Sequence, residues 1–103
     1  MFRQSSIILG INARFFEVLN VLKAKKLLGG VSGFAEKYGV SHANMYQIKN
    51  LGNGAVKLDY LFYIVRDFNV SAEWIITGEG DMFKQTNAKT ELSQPQENVS
   101  SDF

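Results

Sequence analysis

The chain has 103 residues, 46% of them hydrophobic and 13% aromatic, with a formal net charge of +1, a single histidine and no cysteine. This is the composition of one small domain with enough apolar area for a helical core. It excludes disulfides, thiolate metal sites and His-rich metal sites, together with the nucleophile–base pairs built on Cys and His. No apolar run approaches the ~20 residues of a bilayer span. The opening MFRQSSIILGI is too weakly patterned for a secretory signal, so a cytoplasmic protein is expected. No cofactor, metal or small-molecule ligand is expected either.

Residues 1–11 read as an N-terminal arm. Its Ile7, Ile8, Leu9 and Ile11 fit a strand, a helix extension or a loose arm. Asn12 has the chemistry of an N-cap, and 13–28 form the first expected helix. Phe15, Phe16, Val18, Leu19, Leu22, Leu27 and Leu28 recur at the 3.6 period, with Arg14, Glu17, Lys23, Lys25 and Lys26 mostly off that face. Lysines in its last turn suit the helix dipole, and Gly29 and Gly30 are expected to end it.

The stretch 31–50, VSGFAEKYGVSHANMYQIKN, reads as two short helices joined by a tight turn. Phe34, Ala35 and Tyr38 form an apolar stripe on the first, which Ser32 is placed to cap. Gly39 closes it, because glycine reaches the left-handed conformation without steric cost. Val40 follows as an apolar plug, and Ser41 is the expected cap of the second helix. There Met45 and Ile48 make a narrow seam, leaving His42, Ala43, Tyr46, Gln47 and Asn50 to face outward. A polar face on a short, seated helix is what the reading of base edges requires.

Ala35, Gly39, Val40, Met45 and Ile48 resemble the helix-turn-helix pattern of lambda-repressor-like (Cro/repressor-type) DNA-binding domains. Residues 70–83, VSAEWIITGEGDMF, resemble the segment that closes many phage-repressor-type domains. The resemblance covers about 12–83 and implies an all-α, five-helix domain with the helix-turn-helix at about 31–50 and helix 41–50 in the major groove. By the same resemblance His42, Ala43, Asn44, Tyr46 and Gln47 would contact bases. Ser32, Ser41, Lys49, Asn50, Asn53 and Lys57 would contact the DNA backbone, and Arg3 and Gln4 of the arm would be further candidates. Gln47 suits bidentate pairing with adenine and Ala43 a thymine methyl. Val31 and Ser32 depart from the strongly polar residue common at the start of the first motif helix. The reading face also carries no arginine, which implies modest affinity per monomer and a homodimer on two half-sites.

The loop 51–56, LGNGAV, is rich in turn residues. The helix expected at 58–68 carries Leu58, Tyr60, Leu61, Phe62, Ile64, Val65 and Phe68, more than one face hides. Exposed aromatics among Tyr60, Phe62 and Tyr63 would suggest a dimer surface; the equal alternative is that they pack under the N-terminal run. Ser71 is the expected cap of a last short helix with Trp74 as a core anchor, broken by Gly78 and Gly80. Met82 and Phe83 are expected to fold back onto the core. From Lys84 onward the chain turns polar and reads as a disordered tail.

Charge is unevenly spread. Between residues 12 and 70, Arg14, Lys23, Lys25, Lys26, Lys37, Lys49, Lys57 and Arg66 outnumber Glu17, Glu36, Asp59 and Asp67. Beyond residue 70 acids predominate. A basic body with an acidic end suits a face that meets phosphates. No enzyme is expected: Gly78–Glu79–Gly80 follows a helix rather than a strand, and Glu79 and Asp81 lie in a terminal turn with nothing to tune them. The expectation is therefore a sequence-specific DNA-binding transcriptional regulator, repressor-like, of prokaryotic, phage or mobile-element type. The alternative is a helical protein-interaction module, antitoxin-like or adaptor, on the same fold.

Overall fold

The computed structural model describes residues 6–84; the expected contacts of Arg3 and Gln4 and the polar tail beyond Lys84 lie outside them. Within the described residues the protein is all-α, with five helices in the order α1 (Ser6–Ala24), α2 (Gly30–Tyr38), α3 (His42–Leu51), α4 (Leu58–Phe68) and α5 (Ala72–Thr77). None is long and apolar enough to cross a membrane.

Helix α1 departs from expectation at both ends. It starts at Ser6, so residues 6–11 are its opening turns, and Ile11 packs against the core. Asn12 is therefore not an N-cap. It lies inside the helix on the buried stripe with Phe15, Phe16, Leu19 and Leu22, where the neighbouring backbone provides for its carboxamide. At the other end, α1 stops at Ala24 rather than near residue 28. Lys26 takes a left-handed φ of 63°, and the Leu27 amide folds back to donate to the Leu22 carbonyl at 2.9 Å. That closure satisfies a terminal carbonyl and turns Leu28 toward the core.

The two glycines expected to end α1 instead begin α2. Gly29 is its N-cap, which places Ser32 within the first turn rather than at the cap. Gly30 sits at φ 73°, and a Cβ on it would come within 3.2 Å of the Lys23 Cδ. The left-handed φ is what favours glycine there, since the exposed Lys23 side chain can give way to a Cβ. At the far end Gly39 adopts φ 66°, and its amide and that of Val40 both donate to the Ala35 carbonyl. The Ser41 Oγ then accepts from the Asn44 amide at 3.0 Å, capping α3.

The core is dominated by aromatic rings from three helices. Phe34 of α2 lies 5.4 Å from Phe15 of α1 and 5.6 Å from Tyr60 of α4, both edge-on. All three are buried. Edge-to-face pairs add about 0.5–1.5 kcal/mol each beyond the area they bury. Around them Val18, Leu19, Leu22, Met45, Ile48, Ile64, Val70 and Ile75 complete one contiguous cluster.

The chain closes on itself at its acidic end. Asn69 takes φ 60°, a left-handed conformation that asparagine adopts more readily than most residues, and its amide donates across the closure to the Lys84 carbonyl at 3.1 Å. Val70 and Phe83 form an antiparallel bridge, which brings Met82 and Phe83 back onto the core as expected. Ser71 caps α5 by accepting from the Trp74 amide, and Gly78 ends it at φ 83°. Trp74 packs against the core while staying half-buried. Arg14 of α1 holds the end of α5: its Nε donates to the Ile75 carbonyl at 2.7 Å and its Nη2 to the Ile76 carbonyl at 3.2 Å. A cation at a helix C-terminus meets both its open carbonyls and its dipole.

Candidate nucleic-acid interface

Helix α3 is seated by two residues three apart, Met45 and Ile48, which are fully and almost fully buried. That spacing puts both on one face of a ten-residue helix and turns the rest outward. His42, Ala43, Tyr46, Gln47, Lys49 and Asn50 are all exposed, Tyr46 by 56%. Asn44, expected among them, is half-buried. Its Oδ1 accepts from the buried Tyr60 hydroxyl at 2.8 Å, so its carboxamide is shared between α4 and the outer face. The same bond provides for a phenol that would otherwise be stranded in the core. Burial raises the Tyr60 pKa, helped by the nearby Asp59 charge, which keeps the phenol a donor.

Gln47 is not a loose side chain. Its Oε1 accepts from Asn53 Nδ2 at 3.1 Å, and its carbonyl accepts from the Asn53 backbone amide at 3.1 Å. With the amide oxygen engaged by Asn53, the NH2 end of Gln47 is left to donate, as it would to a purine N7. Asn53 was expected at the DNA backbone; the structure places it against the candidate base reader. Lys57 lies at the far side of the same loop, exposed, as the backbone cap of α4. Ser41 spends its oxygen on the α3 cap. Ser32 is exposed in the first turn of α2, where amides lack intrahelical acceptors.

The two motif helices are tied to α4 at a second point. The Tyr38 hydroxyl, at the end of α2, donates to Asp67 Oδ2 at 2.5 Å, and Arg66 donates to both oxygens of the same carboxylate at 2.7 and 2.9 Å. Arg66, then Tyr38, hold the Asp67 carboxyl well below the usual range. Burial, then the Asp67 partnership, push the Tyr38 phenol well above its ordinary value. The Tyr38 ring also stacks on Tyr63, with centroids 4.2 Å apart and planes 4° from parallel. Arg66 thus serves this cluster, as Arg14 serves α5. Of the basic body expected from the sequence, Lys49 and Lys57 are the cations beside α3 and its following loop.

Three features escaped sequence reasoning: the Tyr60–Asn44 bond, the Gln47–Asn53 pair and the role of Asn12. Asn12 lies 5% exposed, with Nδ2 donating to the Gly54 carbonyl at 3.0 Å and Oδ1 accepting from the Val56 amide at 2.9 Å. The signal for it was present, since Asn12 falls in helical register with Phe15, Phe16 and Leu19. Elsewhere on the surface, α4 and α5 line an apolar groove of about 330 Å3 formed by Leu58, Leu61, Phe62, Val65, Arg66, Ala72 and Ile76. Its rim is strongly exposed, Leu58 by 80% and Phe62 by 54%. Comparison of the chain with family models, curated proteins and solved structures gives no match to any of them.

Proposed function

We propose that the protein is a sequence-specific DNA-binding regulator of transcription, of the lambda-repressor-like helix-turn-helix type, belonging to a prokaryote, phage or mobile element. The observation that carries this reading is α3: a capped helix pinned by Met45 and Ile48, turning His42, Ala43, Tyr46 and Gln47 outward together. Such a helix enters a major groove with its hydrogen-bonding groups already oriented. Lys49, Asn50 and Lys57 supply the phosphate contacts that fix register, and Asn44 contributes through the NH2 end that Tyr60 leaves unused.

The α4–α5 groove supports dimerisation. A second copy packed there by a twofold would cover Leu58, Phe62 and Ile76, and a twofold pair would read a palindromic site. The same exposed apolar face favours a second reading, a protein-interaction module whose partner docks on α4 and α5.

The test is selection of bound sequences from random duplexes by the wild type and by Gln47→Ala. The substitution should weaken binding by about 1–3 kcal/mol and relax preference at a single base position in each half-site. An identical selected motif and affinity would place the reading face elsewhere.

A further inference from the structure

We propose that Asn12 is a positioning residue for the DNA backbone contacts, clamping the loop 52–57 from within α1. The inference rests on the DNA-binding reading of α3 and adds to it a residue that never touches nucleic acid. Among the described residues Asn12 is the one buried amide, and no charged side chain is buried. An asparagine inside a helix is disfavoured by propensity, and a buried amide is costly unless paired. An apolar residue at this register position would serve α1 and the core better. What asparagine provides is a donor and an acceptor on one planar group. Here they bond a carbonyl and an amide two residues apart, Gly54 O at 3.0 Å and Val56 N at 2.9 Å. The side-chain amide stands in for the peptide group of a neighbouring strand, which the loop lacks. Aspartate has no donor, and serine cannot span both groups.

The loop needs such an anchor. Gly52 and Gly54 hold φ of 68° and 83°, and residues 52–55 are exposed before Val56 enters the core. A segment with two glycines in four residues has wide backbone freedom. The clamp grips it between Asn53, which orients Gln47, and Lys57, the candidate phosphate contact. Fixing the loop in the free protein lowers the ordering cost of binding.

Asn12→Ala tests this, with Asn12→Leu as a second variant that fills the vacated volume but cannot clamp. Thermal melts set a temperature at which each is folded. Binding to a selected duplex is then measured across a salt series, with amide hydrogen exchange on the free proteins. Both variants should bind about tenfold more weakly, with the slope of log affinity against log salt reduced by about 0.9, one lysine–phosphate contact. Exchange at Val56 should quicken while Met45 and Ile48 in α3 stay protected. Wild-type affinity and slope in either folded variant overturns the proposal, because filling the volume would then suffice. No DNA binding by the wild-type protein overturns the function itself and this inference with it. Wild-type binding that survives Asn12→Ala unchanged overturns this inference alone.

Discussion

Phe34→Ala should lower the unfolding free energy by about 3–5 kcal/mol, as complete removal of a buried phenylalanine ring does when the cavity cannot collapse. Collapse is obstructed here because the ring is wedged among rings from four other positions, Phe15, Tyr38, Tyr60 and Tyr63. Phe15 and Tyr60 meet it edge-on, and Tyr38 lies 4.9 Å away on its own helix. Phe15 and Tyr60 belong to the long α1 and to α4, neither of which can shift without opening other contacts. A domain of this size is stable by roughly 5–10 kcal/mol, so the variant would stand near the edge of folding at moderate temperature. Phe34→Leu, which keeps most of the volume, should cost only about 1–2 kcal/mol. Urea denaturation of the two variants checks the difference. Equal losses would mean that the aromatic cluster is not the keystone of the core.

The joint substitution of Lys49→Gln and Lys57→Gln carries the largest expected effect on binding. Both side chains are exposed, so folding and the melting temperature should change little. Each lysine that neutralises a phosphate releases counterions and contributes about 0.9 to the slope of log affinity against log salt. Losing both should reduce that slope by about 1.8 and weaken binding to any duplex by roughly one to two orders of magnitude at low salt. The change should be nearly uniform across sequences, since phosphate contacts carry no base information. Binding of a protein partner through α4 and α5 would survive the same substitutions. A double variant that keeps full DNA affinity would remove these two lysines from the interface.

Much of the architecture was legible because its signals are local. Gly39, Ser41, Ser71 and Gly78 terminate or cap helices through bonds to backbone groups within a few residues. Such bonds depend little on the rest of the fold, and each is found as read. Two kinds of position differ from the expectation, one settled at long range and one by an unusual backbone conformation. Asn12 has equal claim to a helix cap or a helix interior until Gly54 and Val56, more than forty residues later, supply its partners. The end of α1 depends on Lys26 adopting a strained φ so that Leu28 reaches the core, which no glycine rule anticipates. Ser32 was misplaced as a consequence, since Gly29 and Gly30 then open α2. In the candidate interface, exposure along α3 followed from periodicity, whereas the partners of Asn44 and Gln47 came from α4 and the loop. Side-chain pairs between separate elements leave no pattern in a single sequence.

A helix whose outward face reads duplex DNA must bind it with both salt dependence and sequence preference. The most direct measurement is binding of the wild-type protein to random-sequence duplex DNA at about 50 mM and about 200 mM salt, followed by selection of the bound pool. Binding should fall steeply between the two salts, and the selected pool should be enriched in one palindromic motif. Absence of binding at the lower salt, or salt-dependent binding that enriches no sequence, would contradict that role for α3.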